Sequence, residues 1–342
     1  MNIRIGILTA PKIDFEQREH SFVLKNVRIG IGFHWDRHED QEFAGTLEIK
    51  PTPTPSQKGG EPWQVAVNTI DLEDYLCSVI SSEMNANSPM ELLKAHAIIS
   101  RSWAIRAMEN PNHEGFHVCA DDHCQRYEGL RRMNERAVEA VRATAGQVLM
   151  YDGKVCDCRY YKCCGGKTEI WSTCWEDIDV PYIQSVECPY CGRVSERTLQ
   201  LVLNNYDQET TDFHDWQVSY TADELSEIIR SKSGIDFGSI LDIIPLKRGA
   251  SGRIYQLKIV GTKHTEIIGK ELKIRLWLSR TCLYSSWFEV EKGSSSFVLR
   301  GHGWGHGAGL CQIGAAVMAA EGKTYEEILS YYYRGAVLQH IH

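Results

Sequence analysis

Apolar and polar residues alternate in short runs over the first fifty or so positions, as in Arg4-Ile5-Gly6-Ile7-Leu8 and Val27-Arg28-Ile29-Gly30-Ile31. A period of two predicts short β-strands. Pro51-Thr-Pro-Thr-Pro55 and Gly59-Gly60 then break any regular pattern and predict a linker. The period changes at Leu72. Leu72, Leu76, Val79 and Ile80 recur at helical spacing, and Glu83 follows four positions after Val79, so a carboxylate closes the apolar face of a first helix. Ser88-Pro89-Met90-Glu91 predicts the start of a second helix running to about Glu109, with Ser88 as N-cap, Pro89 in the first helical position and Glu91 as the capping-box partner.

A polar loop over His113–Cys124 leads to a helix near Asn134–Thr144, and Asp152-Gly153 between alternating runs predicts a hairpin. From about 195 to 292, a helix over Ala222–Ser231 and strands around Ile254–Val260 and Thr265–Ile268 predict an inserted α+β unit. The tail predicts a strand over Phe297–Arg300, a glycine-rich loop over Gly301–Gly309, a helix through Ala320, and a last helix capped by Thr324 with Glu327 three on. The expected fold class is α+β in four segments: an N-terminal β-rich module with linker (1–62), a core begun over 63–192, the insertion (193–292), and completion of the core over 293–342.

Composition narrows the function classes. A chain of 342 residues buries a sizeable core, and 43% apolar with 24% charged residues is ordinary for a soluble globular protein. No run approaches the roughly 20 apolar residues of a membrane-spanning helix, so an integral membrane protein is not expected. The net charge of −8 argues against nonspecific nucleic-acid binding. Met1–Phe15 has neither a basic start followed by an apolar stretch nor a small-residue cleavage site, which predicts no signal peptide. That inclines the reading of the 12 cysteines toward thiols and metal ligands rather than a disulfide framework.

Glu83 is the leading candidate for chemistry. An apolar face and a helix C-terminus both disfavour its ionised form and suit it to give a proton to a glycosidic oxygen. No second carboxylate shares the motif, and one residue can act first as acid and then as base when the sugar's own hydroxyl attacks. The competing reading is a solvent-exposed glutamate at a helix end.

His113, His117, Cys119, His123 and Cys124 offer five ligands within twelve positions, and zinc takes four such groups. The expected set is Cys119, Cys124, His113 and His123; a Cys119–Cys124 disulfide beside exposed histidines is the alternative. Cys163, Cys164, Cys174, Cys188 and Cys191 form a second group, either metal ligands, disulfides or separate buried thiols, and Cys188-Pro-Tyr-Cys191 has zinc-knuckle spacing. Cys77, Cys282 and Cys311 read as core packing. The alternating glycines of 301–309 imply close approach by a ligand or by packing against the Glu83 helices, but the βαβ frame of a dinucleotide site is missing, so no nucleotide cofactor is expected. In the ligand reading, Trp304 offers an apolar face and His306 and Gln312 hydrogen bonds to sugars. Tyr160 and Tyr161 point to opposite faces of a strand, and Tyr160 is preferred for the groove.

Several of these blocks together resemble the stage II sporulation protein D and amidase-enhancer family: Leu72-Glu-Asp-Tyr-Leu-Cys-Ser-Val-Ile-Ser-Ser-Glu83-Met, Ser88-Pro89 through Ser100-Arg101, Cys124-Gln125-Arg-Tyr127-Glu-Gly129, Tyr160-Tyr161 with Gly165-Gly166, and Gly303-Trp-Gly-His306 through Gln312. The resemblance runs from about residue 65 to the end. It implies a lytic transglycosylase that cuts peptidoglycan glycan strands between N-acetylmuramic acid and N-acetylglucosamine, with Glu83 catalytic and Lys94, Arg101 and Gln125 at motif positions that could line the groove. It also implies a zinc in the loop of His113, Cys119, His123 and Cys124, and a place in the cell envelope or periplasm, with the cytoplasm left open by the lack of a visible signal. Amidase-enhancer relatives imply the alternative, a glycan-binding scaffold partnered with a cell-wall amidase. Cys163-Cys164 depart from the hydroxyl residues common in the family at those positions.

Overall fold

The alternation at the start of the chain forms β1 (Asn2–Ala10), β2 (Phe15–Gln17), β3 (Ser21–Ile29), β4 (Arg37–Ala44) and β5 (Thr46–Pro51). After β6 (Gln64–Asp71) come α1 (Leu72–Glu83), α2 (Met90–Glu109), β7 (Val118–Cys119), α3 (Glu135–Ala143), β8 (Gln147–Tyr151) and β9 (Lys154–Val155). The computed structural model describes residues 1–30, 36–52, 63–121, 123–202 and 214–341, so the expected linker lies outside the described residues from position 53 to 62. Later elements are β10 (Tyr160–Tyr161), α4 (Trp171–Cys174), α5 (Glu196–Val202), β11 (Asp215–Thr221), α6 (Ala222–Ser233), β12 (Ile240–Arg248), β13 (Ile254–Gly261), β14 (Thr265–Ile268) and α7 (Glu271–Trp277). The chain ends with β15 (Phe288–Lys292), β16 (Ser296–His302), β17 (Leu310–Cys311), α8 (Gln312–Ala320), α9 (Tyr325–Tyr332) and β18 (Val337–His340). The class is α+β, as expected.

Two units divide the chain: Met1–Cys158 with Leu201–Tyr206 and Val337–His342, and Arg159–Gln200 with Asp207–Ala336. In the first, β6 lies between β5 and β1 in the sheet β5-β6-β1-β7, with Asn2 opposite Asp71 and Ala10 opposite Gln64. The ladder of the first strand of the N-terminal β module is made with β6, the strand that leads directly into α1, so the module and the core share a sheet. Sheets β2-β3-β4 and β18-β8-β9 complete this unit's strands. The hairpin β8–β9 turns on Asp152 (φ 47°) and Gly153 (φ 72°), the two left-handed residues that a tight two-residue turn requires. Helix α1 is buried on more than its apolar stripe, because α2 and α3 both pack on it.

The second unit holds the sheets β11-β16-β15, β12-β13-β14 and β10-β17. Trp216, Leu225, Ile229, Leu257, Phe288 and Leu299 share one buried cluster there. Because β16 sits between β11 and β15, residues 296–302 and the expected insertion form one sheet, and the boundary drawn at residue 293 is not a structural one. The other departure is local. Helix α2 begins after Pro89 with no side-chain cap, because the Ser88 hydroxyl donates to the Leu201 carbonyl at 3.2 Å instead of accepting a helix amide. At α9 the expected capping box does form: Thr324 Oγ1 accepts from Glu327 N at 3.4 Å and Thr324 N donates to Glu327 Oε2 at 3.0 Å. Thr324→Ala is expected to lower stability by about 1 kcal/mol, read by denaturant unfolding; an unchanged midpoint would mean that the box is not stabilising.

Candidate functional site

Glu83 is the last residue of α1 and is half-buried. Its Oε1 accepts the backbone N–H of Arg126 at 3.0 Å. That amide belongs to a segment stitched along α1. Tyr75 Oη donates to Gln125 Oε1 at 3.1 Å, Ser82 Oγ accepts from Glu128 N at 3.4 Å, and Ser78 Oγ donates to the Gly129 carbonyl at 2.7 Å. Tyr127, fully buried, donates to Asn68 Oδ1 at 2.8 Å. Buried bonds of this kind each contribute about 1 kcal/mol and cost more than that when one partner is lost. The carboxylate is thus held by backbone that is itself fixed to the same helix.

Just before this segment lies the cysteine-histidine loop. Strand β7 pairs in parallel with β1, and the Ala120 N–H donates to the Gly6 carbonyl at 3.0 Å, which anchors Cys119. His113 Nε2 stands 3.2 Å from Cys124 Sγ, and His123 Nδ1 3.5 Å from Cys124 Sγ and 3.9 Å from Cys119 Sγ. The four ligand atoms all lie within 4.8 Å of one another, close enough to hold one metal ion. Both cysteines are free thiols rather than a disulfide. A hydrogen bond from Cys124, then one from His123, pulls the Cys119 thiol down to about 4 against the effect of burial. His117 stands apart, its Nδ1 accepting the Arg4 amide at 3.1 Å. The loop donors thus converge as the pair of cysteines and the pair of histidines preferred from spacing.

The residues expected to line a sugar groove divide between the two units and fall into two kinds. Lys94, Tyr160 and Trp304 are half-buried, with Lys94 Nζ 2.8 Å from Glu91 Oε1. Arg101, Gln125, His306 and Gln312 have other work. Arg101 has no exposed surface: its Nε and Nη2 grip Glu73 at 2.8 and 2.7 Å, and Nη1 reaches the Gln147 carbonyl at 3.0 Å. Gln125 is buried, bridging Tyr75 and the Ser100 carbonyl. The His306 ring accepts the Ala308 amide on Nδ1 at 3.1 Å and donates from Nε2 to the Tyr160 carbonyl at 3.0 Å. Burial, with Arg159, Arg275 and Arg253 nearby, pushes that imidazole well below its ordinary range, so it stays neutral. Gln312 heads α8 with its side chain buried. Arg101, Gln125 and Gln312 are thus buried, and both ring nitrogens of His306 are engaged by backbone groups of its own unit.

The glycine-rich loop is explained by the same unit's own backbone. Gly303, Gly305, Gly307 and Gly309 all have positive φ, and a Cβ at Gly309 would meet the Arg159 carbonyl oxygen at 2.0 Å. What comes close is residues 159–164 and the buried Arg253, which donates to the Gly305 and Cys164 carbonyls at 3.2 and 3.3 Å. Two groups escaped the sequence reading. The serines of α1 sit at positions a helical wheel leaves outside the apolar stripe, and three hydroxyls in one buried turn were the available signal. Glu169, fully buried, accepts from the amides of Ile170, Ala250 and Ser251 and from the Ser251 hydroxyl, and no local pattern marks it.

Residues 63–151, which carry Glu83 and the cysteine-histidine loop, match the stage II sporulation protein family, SpoIID. Stage II sporulation protein D of Bacillus subtilis (strain 168) is 25% identical over 307 residues, 85% of this chain and 80% of that protein. The chain belongs to the stage II sporulation protein D family. The amidase enhancer of the same organism is 28% identical over 295 residues, 77% of this chain and 40% of the enhancer. An uncharacterized protein of Brachyspira hyodysenteriae (strain ATCC 49526 / WA1) is 31% identical over 273 residues, covering 79% of this chain and 67% of that protein. Residues 169–309 match a domain of unknown function, DUF8618, so the SpoIID-like chain carries the Glu83 region and the glycine-rich loop under separate family descriptions. No helix among the described residues is long and apolar enough to cross a membrane.

If Arg101 is a structural clamp, Arg101→Ala leaves Glu73 and the Gln147 and Val141 carbonyls without their donor and is expected to cost about 3 kcal/mol, whereas Lys94→Ala, at a half-buried pair, costs under about 1 kcal/mol. Urea unfolding of the two variants compares them directly; equal losses would contradict the clamp.

Proposed function

We propose that this SpoIID-family protein is a lytic transglycosylase acting on the β-1,4 bond between N-acetylmuramic acid and N-acetylglucosamine in peptidoglycan, on glycan strands from which stem peptides have been removed. The observation that carries the reading is Glu83 itself: a half-buried carboxyl at the C-terminal end of α1, oriented by the Arg126 amide at 3.0 Å within the family-matched segment. In this reading the protonated carboxyl gives its proton to the leaving glycosidic oxygen, and the carboxylate then takes the proton of the sugar's C6 hydroxyl as that oxygen closes on the anomeric carbon. Glu128, the acidic neighbour in the 125–129 segment, is committed to Arg37 and Arg132, which leaves acid and base duty to one residue. In this reading Lys94, in the same family-matched segment as Glu83, keeps a sugar contact.

His113, Cys119, His123 and Cys124 would hold a zinc ion whose contribution is structural: four ligands close its coordination, and no step of the reaction passes through it. The likeness to the amidase enhancer supports a second reading, in which the chain binds glycan as the partner of a cell-wall amidase and does not cut. Either activity places it at the cell envelope.

Peptide-free glycan strands incubated with the purified protein separate the two. Mass spectrometry is expected to find anhydro-ended fragments with the unaltered chain and at least about a hundredfold fewer with Glu83→Gln, in keeping with the loss of an acid–base group. Strands retained by the protein without such fragments would favour the scaffold, and equal cleavage by Glu83→Gln would overturn the assignment of the acid.

A further inference from the structure

Cysteine chemistry in the second unit is not used by the Glu83 reading. Cys164, Cys188, Cys191 and Cys311 are all buried free thiols, and their four Sγ atoms lie within 4.8 Å of one another. Cys164 and Cys191 approach to 3.1 Å, against about 2.05 Å for a disulfide bond. The grouping draws on three distant stretches of chain: the turn after β10, the Cys188-Pro189-Tyr190-Cys191-Gly192 knuckle, and the junction of β17 with α8. Cys163, whose backbone pairs with Trp304, borders the group with its thiol against Cys191 and Cys311 but is not among the four mutually close sulfurs, whereas Cys174 Sγ points away to the His306 carbonyl at 3.3 Å.

We propose that Cys164, Cys188, Cys191 and Cys311 bind a single zinc ion in a tetrahedral four-thiolate site, a second metal centre besides the cysteine-histidine loop. A zinc–sulfur distance of about 2.3 Å sets the edges of such a tetrahedron near 3.8 Å, which is the spacing these sulfurs already approach. Clusters of several irons spread their four cysteines further apart than one ion does. The donors around the sulfurs suit thiolates. Cys311 is the N-cap of α8, and its Sγ accepts the amides of Gly314 at 3.3 Å and of Cys164 at 3.2 Å; Cys164 Sγ accepts that of Gly166 at 3.4 Å. His214 faces Cys191, and its other ring nitrogen is held by Asp215 at 2.7 Å, the arrangement of an outer partner that orients a ligand. At Gly192 a Cβ would come within 2.8 Å of the His214 ring, so the knuckle needs glycine there. Once metallated, the site would tie the turn after β10 to the knuckle and to the start of α8.

The test is metal content of the full chain, expressed in zinc-supplemented medium and purified under reductant without chelator. Inductively coupled plasma mass spectrometry is expected to give two zinc ions per chain, falling to one in C188S/C191S and to one in C119S/C124S. Because the first double variant could misfold, the unaltered protein is also grown with cobalt. The expected signature is the strong visible bands and sulfur-to-cobalt charge transfer of a four-thiolate site, retained in C119S/C124S. One zinc per chain that disappears wholly in C119S/C124S would overturn the proposal. So would a Cys188–Cys191 disulfide in protein kept under reductant, or iron in place of the second zinc. None of these outcomes depends on whether Glu83 cuts glycan.

Discussion

A single backbone amide organises the candidate site. The Arg126 N–H on Glu83 Oε1 is directional, and it comes from a segment with little freedom of its own, since Tyr75, Ser78, Ser82 and Asn68 each bond to it. Upstream, the segment is continuous with Cys124, one of the four donors of the cysteine-histidine loop. The Tyr127 amide bonds back to the Ala120 carbonyl at 3.0 Å, closing the loop on itself. A helix end and a ligand-rich loop thereby become one mechanical unit, and the carboxylate inherits the loop's rigidity. A surface glutamate at a fraying helix end would have no such support.

The contrast with the second unit is in how the polar groups are used. Arg253 and Glu169 are buried and His306 half-buried, and their polar atoms are matched to backbone groups: Arg253 to the Gly305 carbonyl, His306 to the Tyr160 carbonyl and the Ala308 amide, and Glu169 to the amides of Ile170, Ala250 and Ser251. Alternating glycines let the glycine-rich loop lie directly on residues 159–164. Side chains that read as ligand contacts are there to satisfy buried backbone, which must be paired wherever water is excluded.

What could be read from the sequence was what is decided locally. The Asp152-Gly153 turn, the Thr324–Glu327 box and the helical stripe ending at Glu83 depend on neighbours within a few positions, and all three formed as expected. The same holds for the cysteine-histidine loop, whose donors fall within twelve positions. Long-range pairing was not legible: β1 hydrogen-bonds to β6 across the expected linker, and β16 enters a sheet with β11. Cys311 looked like core because its neighbours are apolar, yet its partner Cys164 lies 147 positions away. Arg101 and His306 carry polar groups that suit sugars, and only the tertiary structure shows them engaged with Glu73 and with backbone.

The most direct measurement of this account is amide hydrogen exchange at Arg126. If the loop holds the segment and the segment holds Glu83, that amide exchanges slowly in the metal-loaded protein and loses its protection in C119S/C124S while the amides of Val79 and Ile80 inside α1 stay protected. Rapid exchange at Arg126 in the intact protein, or protection that is indifferent to the two cysteines, would contradict it.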